Sequence, residues 1–152
     1  MWLYEDREIN EDEIGDCVGF VYIITNLTNQ KRYIGKKLFK STRTKTIKGK
    51  RKKVKTDSDW RDYFGSNAVL KEDVKLLGPL NFKREILKIC KSKGTCNYWE
   101  MKYQIQYEVL EREDFYNEWI MVKVMFSLFI MVVLYHDWQR IQQKSVAQLV
   151  RL

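Results

Sequence analysis

Tyr22 and Tyr33, with ten residues between them, are followed by Gly35 and then by Lys36 and Lys37. A phenol can donate to a phosphate oxygen or handle the proton of an attacking water, and nearby ammonium groups can balance charge on phosphorus. The stretch GFVYIITNLTNQKRYIGKK, residues 19–37, has the groups for a phosphate site if the chain brings the two rings together. Val18–Thr25 and Lys31–Gly35 are rich in Val, Ile, Phe and Tyr, which predicts two strands around a polar turn. Pairing Tyr22 with Tyr33 pairs Thr25 with Gln30 and leaves a four-residue loop, Asn26–Asn29. Directly opposed residues share a face, so both phenols fall on one side. Gly35 falls on that side too and lets another group come close.

Further elements must hold this hairpin in place. Asn67 or Ser66 can cap a helix over 67–77, with Leu70, Val74 and Leu77 as its buried stripe and Gly78-Pro79 as its stop. Phe82–Cys90 reads as a third strand. Thr95–Glu113 has helical periodicity through Trp99, Tyr103, Tyr107 and Leu110, with Asn97 as the expected N-cap. Residues 114–123 read as a closing turn and short strand. Residues 40–58 are basic and poor in apolar side chains, which predicts a mobile loop. The expectation is an α+β fold, a small three-stranded antiparallel sheet flanked by helices, with an extra C-terminal helical tail.

At 152 residues the chain suits one domain with a real core. A net charge of +8 points to a polyanionic partner, either nucleic acid or an anionic membrane surface. The charge is unevenly spread. Residues 1–16 hold seven acids and one base, an acidic arm (1–17) partly ordered by Trp2, Leu3 and Tyr4, whereas residues 31–55 hold thirteen Lys or Arg and no acid. Lys40, Lys45, Lys48, Lys50, Arg51, Lys52 and Lys53, with the open backbone at Gly35, are candidate nucleic-acid contacts. Such a stretch binds phosphates without reading sequence. Cys17, Cys90 and Cys96 form no CxxC and read as reduced thiols of an intracellular, cytoplasmic protein. His136 is the sole histidine and lies near the C-terminus, which argues against a His-based triad or a multi-His metal site. Val124–Tyr135 is uncharged but shorter than the ~20 residues a membrane span needs, so a buried or partner-binding helix is favoured over membrane association.

The motifs G-F-V-Y at 19–22 and Y-I-G at 33–35 resemble the GIY-YIG nuclease domain. Arg43, ten residues after Tyr33, Glu100 in a late helix and Asn117 in F-Y-N stand where that family places an arginine, a metal-binding glutamate and an asparagine. D-W-R-D-Y-F-G-S-N at 59–67 and N-F-K-R-E-I-L at 81–87 resemble phage-type, homing-endonuclease-like members, which would act inside a bacterial host. The resemblance spans about Val18 to Val124. It implies a nuclease domain over 18–123 with a basic loop at 36–58, and does not cover the tail at 124–152, which composition reads as apolar, then amphipathic.

The resemblance also implies the chemistry. Tyr22 would be the general base or orient the water. A free phenol titrates near pH 10, so that role needs nearby cations to lower it. Tyr33 would orient the phosphate and Arg43 would stabilise the transition-state charge. Lys36 or Lys37 would replace the histidine that some members use. Glu100 would hold one Mg²⁺, with water and phosphate oxygens completing the shell. Read from residues alone, Asn97-x-x-Glu100 is instead a capping box. Asn117 would support the site by hydrogen bonding. The implied activity is metal-dependent DNA hydrolysis, one strand per site, so a double-strand break needs a homodimer or a second event. The alternatives are an inactive nucleic-acid-binding module on the same fold and a tail-anchored membrane-associated protein.

Overall fold

The computed structural model of the chain describes residues 1–47 and 50–121, with the backbone alone at Glu11, Arg43, Lys45 and Ile47. Lys48 and the tail expected at 124–152 lie outside the described residues. Residues Met1–Ile120 form one compact unit. In chain order its elements are β1 (Leu3–Tyr4), β2 (Arg7–Glu8), α1 (Glu11–Ile14), β3 (Gly19–Asn26), β4 (Arg32–Leu38), β5 (Lys40–Ile47), β6 (Lys50–Asp57), α2 (Ala68–Leu77), β7 (Phe82–Cys90) and α3 (Lys93–Gln106). The class is α+β as expected. The main sheet, however, has five strands in the order β2-β1-β7-β3-β4, rather than three.

Strand β3 lies inside the sheet, between β7 and β4, and its sequence explains why. Its run FVYII is buried at every position, because the sheet is covered on both faces. Phe20, Tyr22 and Ile24 enter one apolar cluster, which α2 closes with Leu70, Val74 and Leu77. Val21 and Ile23 enter the other, which α3 closes with Cys96, Trp99 and Tyr103. A strand buried on both sides loses the apolar–polar alternation of a half-exposed one. The predicted third strand and the 67–77 helix are both present, with Asn67 accepting a hydrogen bond from Leu70 N at 2.9 Å as N-cap.

Three local expectations are corrected. The hairpin register pairs Tyr22 with Gly35 and Ile24 with Tyr33, two residues away from the predicted pairing. Asn26 stays in the strand because its buried side chain donates to Tyr116 Oη at 2.9 Å and accepts from Thr28 N at 3.0 Å. Asn26 N donates to Lys31 O, so the four-residue loop runs over 27–30. A shift of two keeps every side chain on its face, so the two tyrosines remain on one side.

The second correction concerns α3, which starts a turn earlier than expected. Ser92 is its N-cap, in a capping box with Thr95. Glu100 therefore lies two turns into the helix and is not the cap that Asn97-x-x-Glu100 suggested.

The third correction is at residues 40–58. Instead of a loop, Lys40–Ile47 and Lys50–Asp57 form an antiparallel ribbon, β5–β6, separate from the main sheet. The acidic N-terminus is also folded. Trp2 is buried and donates from Nε1 to Trp60 O at 2.7 Å, while β1 adds to the sheet parallel to β7. At the opposite edge, residues 114–117 run beside β4 through an isolated bridge from Phe115 to Arg32. Among the described residues no helix is long and apolar enough to cross a membrane.

Candidate active site

The site straddles β4. On one face lie Tyr22, Tyr33, Gly35 and Lys37, since Tyr22 opposes Gly35 and Phe20 opposes Lys37. The Tyr22 and Tyr33 rings are 6.2 Å apart, and Tyr63 meets Tyr22 edge-on at 6.1 Å. A Cβ on Gly35 would lie 2.6 Å from the Tyr22 hydroxyl and 3.0 Å from Tyr33 Cε1. The missing side chain is therefore the space the Tyr22 phenol occupies. A bulge where β3 meets β7, between Val21 and Tyr22, sits beside this ring, a place where bulges commonly re-aim a side chain.

Tyr22 is 1 % exposed. Burial, with neighbouring Tyr63 and Tyr33, pushes its phenol well above the ordinary value. A general-base role for Tyr22 would therefore need a cation to bring the phenol down from this raised value. Burial also raises Tyr33 and Tyr63. The hydrogen bond between the Tyr22 and Tyr63 phenols raises the first and lowers the second. Tyr33 lies nearer the surface and shares a 2.9 Å hydrogen bond with Ser66 Oγ.

The other face of β4 carries Lys36, which opposes Val21. Its ammonium is paired with the Glu100 carboxylate from α3. The Glu100 charge adds to the upward shifts of Tyr22, Tyr33 and Tyr63, so it is within electrostatic reach of all three. Lys37 points the other way. Its Nζ donates to Asp59 Oδ1 at 2.7 Å and lies 3.6 Å from the Tyr63 ring centroid. Edge strand β4 thus brings two phenols, two ammonium groups and one carboxylate around a glycine.

The comparisons with known proteins bear on this arrangement. Over residues 2–120 the chain matches the family model described as "Putative endonuclease segE, GIY-YIG domain". The chain belongs to the GIY-YIG nuclease superfamily. No curated protein and no solved structure matched. The matched region is an endonuclease domain, for which DNA is the implied substrate class.

Within this GIY-YIG domain Asn117 holds the scaffold. Its Nδ2 donates to Ile34 O at 2.8 Å, and its Oδ1 accepts from Ile34 N at 3.0 Å. Gln104 Nε2 donates to the same carbonyl at 3.0 Å. The two amides supply the partners that a further strand would give the open edge of β4, and they fix the Y-I-G segment. Arg43 lies on β5 opposite Val54, away from the main sheet in the strand order, and its side chain lies outside the described ones. Of the other candidate nucleic-acid contacts, Lys40, Lys45, Lys50, Arg51, Lys52 and Lys53 lie on the ribbon.

Among the described residues no group of three or more His, Cys, Asp or Glu side chains could hold a metal. Glu100 alone fits a hard cation that keeps water and phosphate oxygens as its remaining ligands, as Mg²⁺ does. The Lys36 ammonium on its carboxylate shows that the position favours a positive charge.

Sequence reasoning missed Tyr63, Ser66, Asp59 and Arg84. The first three come from the D-W-R-D-Y-F-G-S-N stretch that supported the resemblance, but their side chains were not read as part of the site. Gly65 has φ +87°, and its Cα side lies close to Tyr33, which lets Ser66 reach the phenol. Arg84 is buried, stacks on Trp2 and Phe64, and donates to Arg61 O at 2.8 Å and Tyr63 O at 3.2 Å. It holds the segment that carries Tyr63.

Proposed function

We propose that this GIY-YIG domain is a metal-dependent endonuclease that hydrolyses DNA phosphodiester bonds, one strand per site. The observation that carries the reading is the packing of Tyr22 and Tyr33 against Gly35, with the Lys36–Glu100 pair on the opposite face of the same strand, within a chain matched to an endonuclease family. The Tyr33 hydroxyl, aimed by Ser66, donates to a phosphate oxygen. Lys37 and Arg43 contribute positive charge at the phosphate. Tyr22 stays protonated and orients the attacking water through its hydroxyl, because burial opposes phenolate formation. Glu100 would hold Mg²⁺ in place of its partner Lys36, which would leave the Lys36 ammonium free for the phosphate, and the metal would supply charge neutralisation there. Asn117 positions the strand without touching substrate. A double-strand break then requires a second copy or a second event. A homing-type role belongs to this reading by family analogy.

An inactive nucleic-acid-binding module is the rival reading, because Lys36 already occupies Glu100. Nicking of supercoiled plasmid with Mg²⁺, with EDTA, and by Glu100→Ala separates the two. Folding and DNA affinity are followed in parallel. The nuclease reading expects nicking only with metal, and a folded Glu100→Ala variant that binds DNA but cuts about 10²–10³-fold more slowly, the usual loss of one charge-stabilising group. Equal DNA binding by both proteins with no cutting by either would transfer the assignment to the binding module.

A further inference from the structure

The β5–β6 ribbon has two unlike faces, and the register sorts them. On one face Thr42, Thr44 and Thr46 stand opposite Lys55, Lys53 and Arg51. All six are exposed, and none is apolar. The register places Arg43, Lys45, Lys50 and Lys52 on the other face, together with Ser41, Val54 and Thr56, which are half-buried. The ribbon pairs with no other strand, and among the described side chains it adds none to either apolar cluster. A two-stranded hairpin without a core is marginal alone in water, and a ladder of cations on it calls for a counter-charge. A cleft lined by Lys36, Lys37, Lys40, Asp57 and Asp59 joins the root of the ribbon to the candidate active site.

We infer that this ribbon is a DNA-reading arm, with the face of Thr42, Thr44, Thr46, Arg51, Lys53 and Lys55 laid in the major groove of a duplex. Two strands about 4.8 Å apart, with their side chains, fit a major groove about 12 Å wide but not a minor groove about 6 Å wide. Eight residues per strand extend about 26 Å, most of a DNA turn of about 34 Å. The side chains suit base edges as well as phosphates. Arginine and lysine pair with guanine O6 and N7, and threonine offers a hydroxyl and a methyl that can meet a thymine methyl. Ordinary phosphate binding needs no row of threonines opposite the cations. The arm therefore biases which sequence reaches the site, beyond the non-selective contact expected of a basic stretch.

This inference rests on the DNA-cleavage reading, but its test does not use cleavage. The full chain in EDTA is titrated by fluorescence anisotropy with two duplexes of one sequence. One is unmodified, and the other carries bulky C5 substituents on its pyrimidines that fill the major groove. Wild type should bind the filled duplex roughly tenfold or more weakly, as expected when one or two base-edge interactions are blocked. Joint Arg51→Gln, Lys53→Gln and Lys55→Gln replacement should abolish that difference and reduce the salt slope by about 0.9 for each phosphate no longer neutralised. Thr42→Val, Thr44→Val and Thr46→Val together should shrink the difference with the salt slope unchanged. Lys71→Gln, Lys75→Gln and Lys91→Gln remove equal charge from exposed positions elsewhere and should preserve the difference. Equal wild-type affinity for the two duplexes, or disappearance of the difference in this last variant, would overturn the inference. Failure of the nuclease reading would appear separately, as the absence of metal-dependent nicking.

Discussion

The chain contains two antiparallel hairpins of similar length, β3–β4 and β5–β6, separated by one residue, Phe39. The first has β3 buried on both faces, beside a half-buried β4, and holds Tyr22 above Gly35. The second carries exposed Thr and Lys and belongs to no larger sheet. Both obey the same backbone rules. What differs is where each must find its stabilising interactions. The first finds them in the protein's own core, where its side chains enter both apolar clusters. The second carries a row of like charge on exposed side chains, which suits a polyanionic partner. A rigid site beside a charged arm suits an enzyme that positions a phosphate chemically but selects its substrate through a separate surface.

The largest expected effect comes from damaging the rigid hairpin. Gly35→Val places carbon where the Tyr22 hydroxyl already lies, 2.6 Å from the first added atom. Displacing Tyr22 from that space should destabilise the fold by about 1–3 kcal/mol, the usual range for overpacking. Nicking should fall about 10²-fold or more, because a misplacement near 1 Å in a positioned site has that consequence. Urea unfolding and plasmid nicking measure the two effects. Full activity in a Gly35→Val variant would show that the tyrosine pair does not set the site geometry.

Removing the other hairpin should do the opposite. Residues 41–56 can be replaced by a short turn, because Lys40 and Asp57 are already paired at the root. Stability should stay within about 0.5 kcal/mol, as for surface changes away from the core. DNA affinity should fall, and its salt dependence should flatten by about 0.9 for each phosphate the ribbon had neutralised. A large drop in stability would mean that the ribbon supports the body, and the contrast between the hairpins would fail.

Asn117→Ala sharpens the contrast by opening the edge of the rigid hairpin without touching its face. The substitution removes the acceptor for Ile34 N and one of two donors to Ile34 O. Stability should fall by about 1–3 kcal/mol, the cost of leaving a buried polar group unpaired. Slower nicking at unchanged DNA affinity should accompany it. An affinity decrease as large as the activity decrease would instead place Asn117 against DNA.

These contrasts also explain what the sequence could and could not tell. The α2 helix was readable from Leu70, Val74 and Leu77 with an asparagine cap, and β7 from its run of large side chains, because local pattern and burial agree there. The β5–β6 ribbon was missed because its period-two signal is written in Thr42, Thr44 and Thr46 rather than in apolar residues. The hairpin register slipped because Asn26 looks like a turn residue, while its partner Tyr116 is ninety residues away. The cap of α3 was misplaced because Ser92-x-x-Thr95 lies one turn before an equally plausible Asn97. For the candidate site, motif spacing singled out Tyr22, Tyr33 and Gly35, which the structure brings together, whereas Glu100 entered only through the family resemblance. Tyr63 and Ser66 depend on a tertiary approach that no local pattern encodes.

Asp114 allows the smallest test of the rigid region, at the same edge of β4. Its carboxylate accepts two hydrogen bonds of 2.8 Å from Arg112 and another from Arg32, the first residue of β4. These interactions, led by Arg112, hold it far below the ordinary carboxylate range. A depressed folded-state value means that the stabilisation is fully present above the unfolded value of about 3.9 and is lost as pH falls through the folded one. Asp114→Asn should therefore lower the urea midpoint slightly at pH 7, by less than Asn117→Ala. The gap from wild type should close as pH drops below about 4. Added salt should also narrow it, because the side chain is 37 % exposed and the pair is screened. A gap that persists unchanged into acid would assign the effect to hydrogen-bond geometry instead of charge. The edge would then be held by Asn117, Gln104 and the backbone bonds of Arg32, independent of any ion pair.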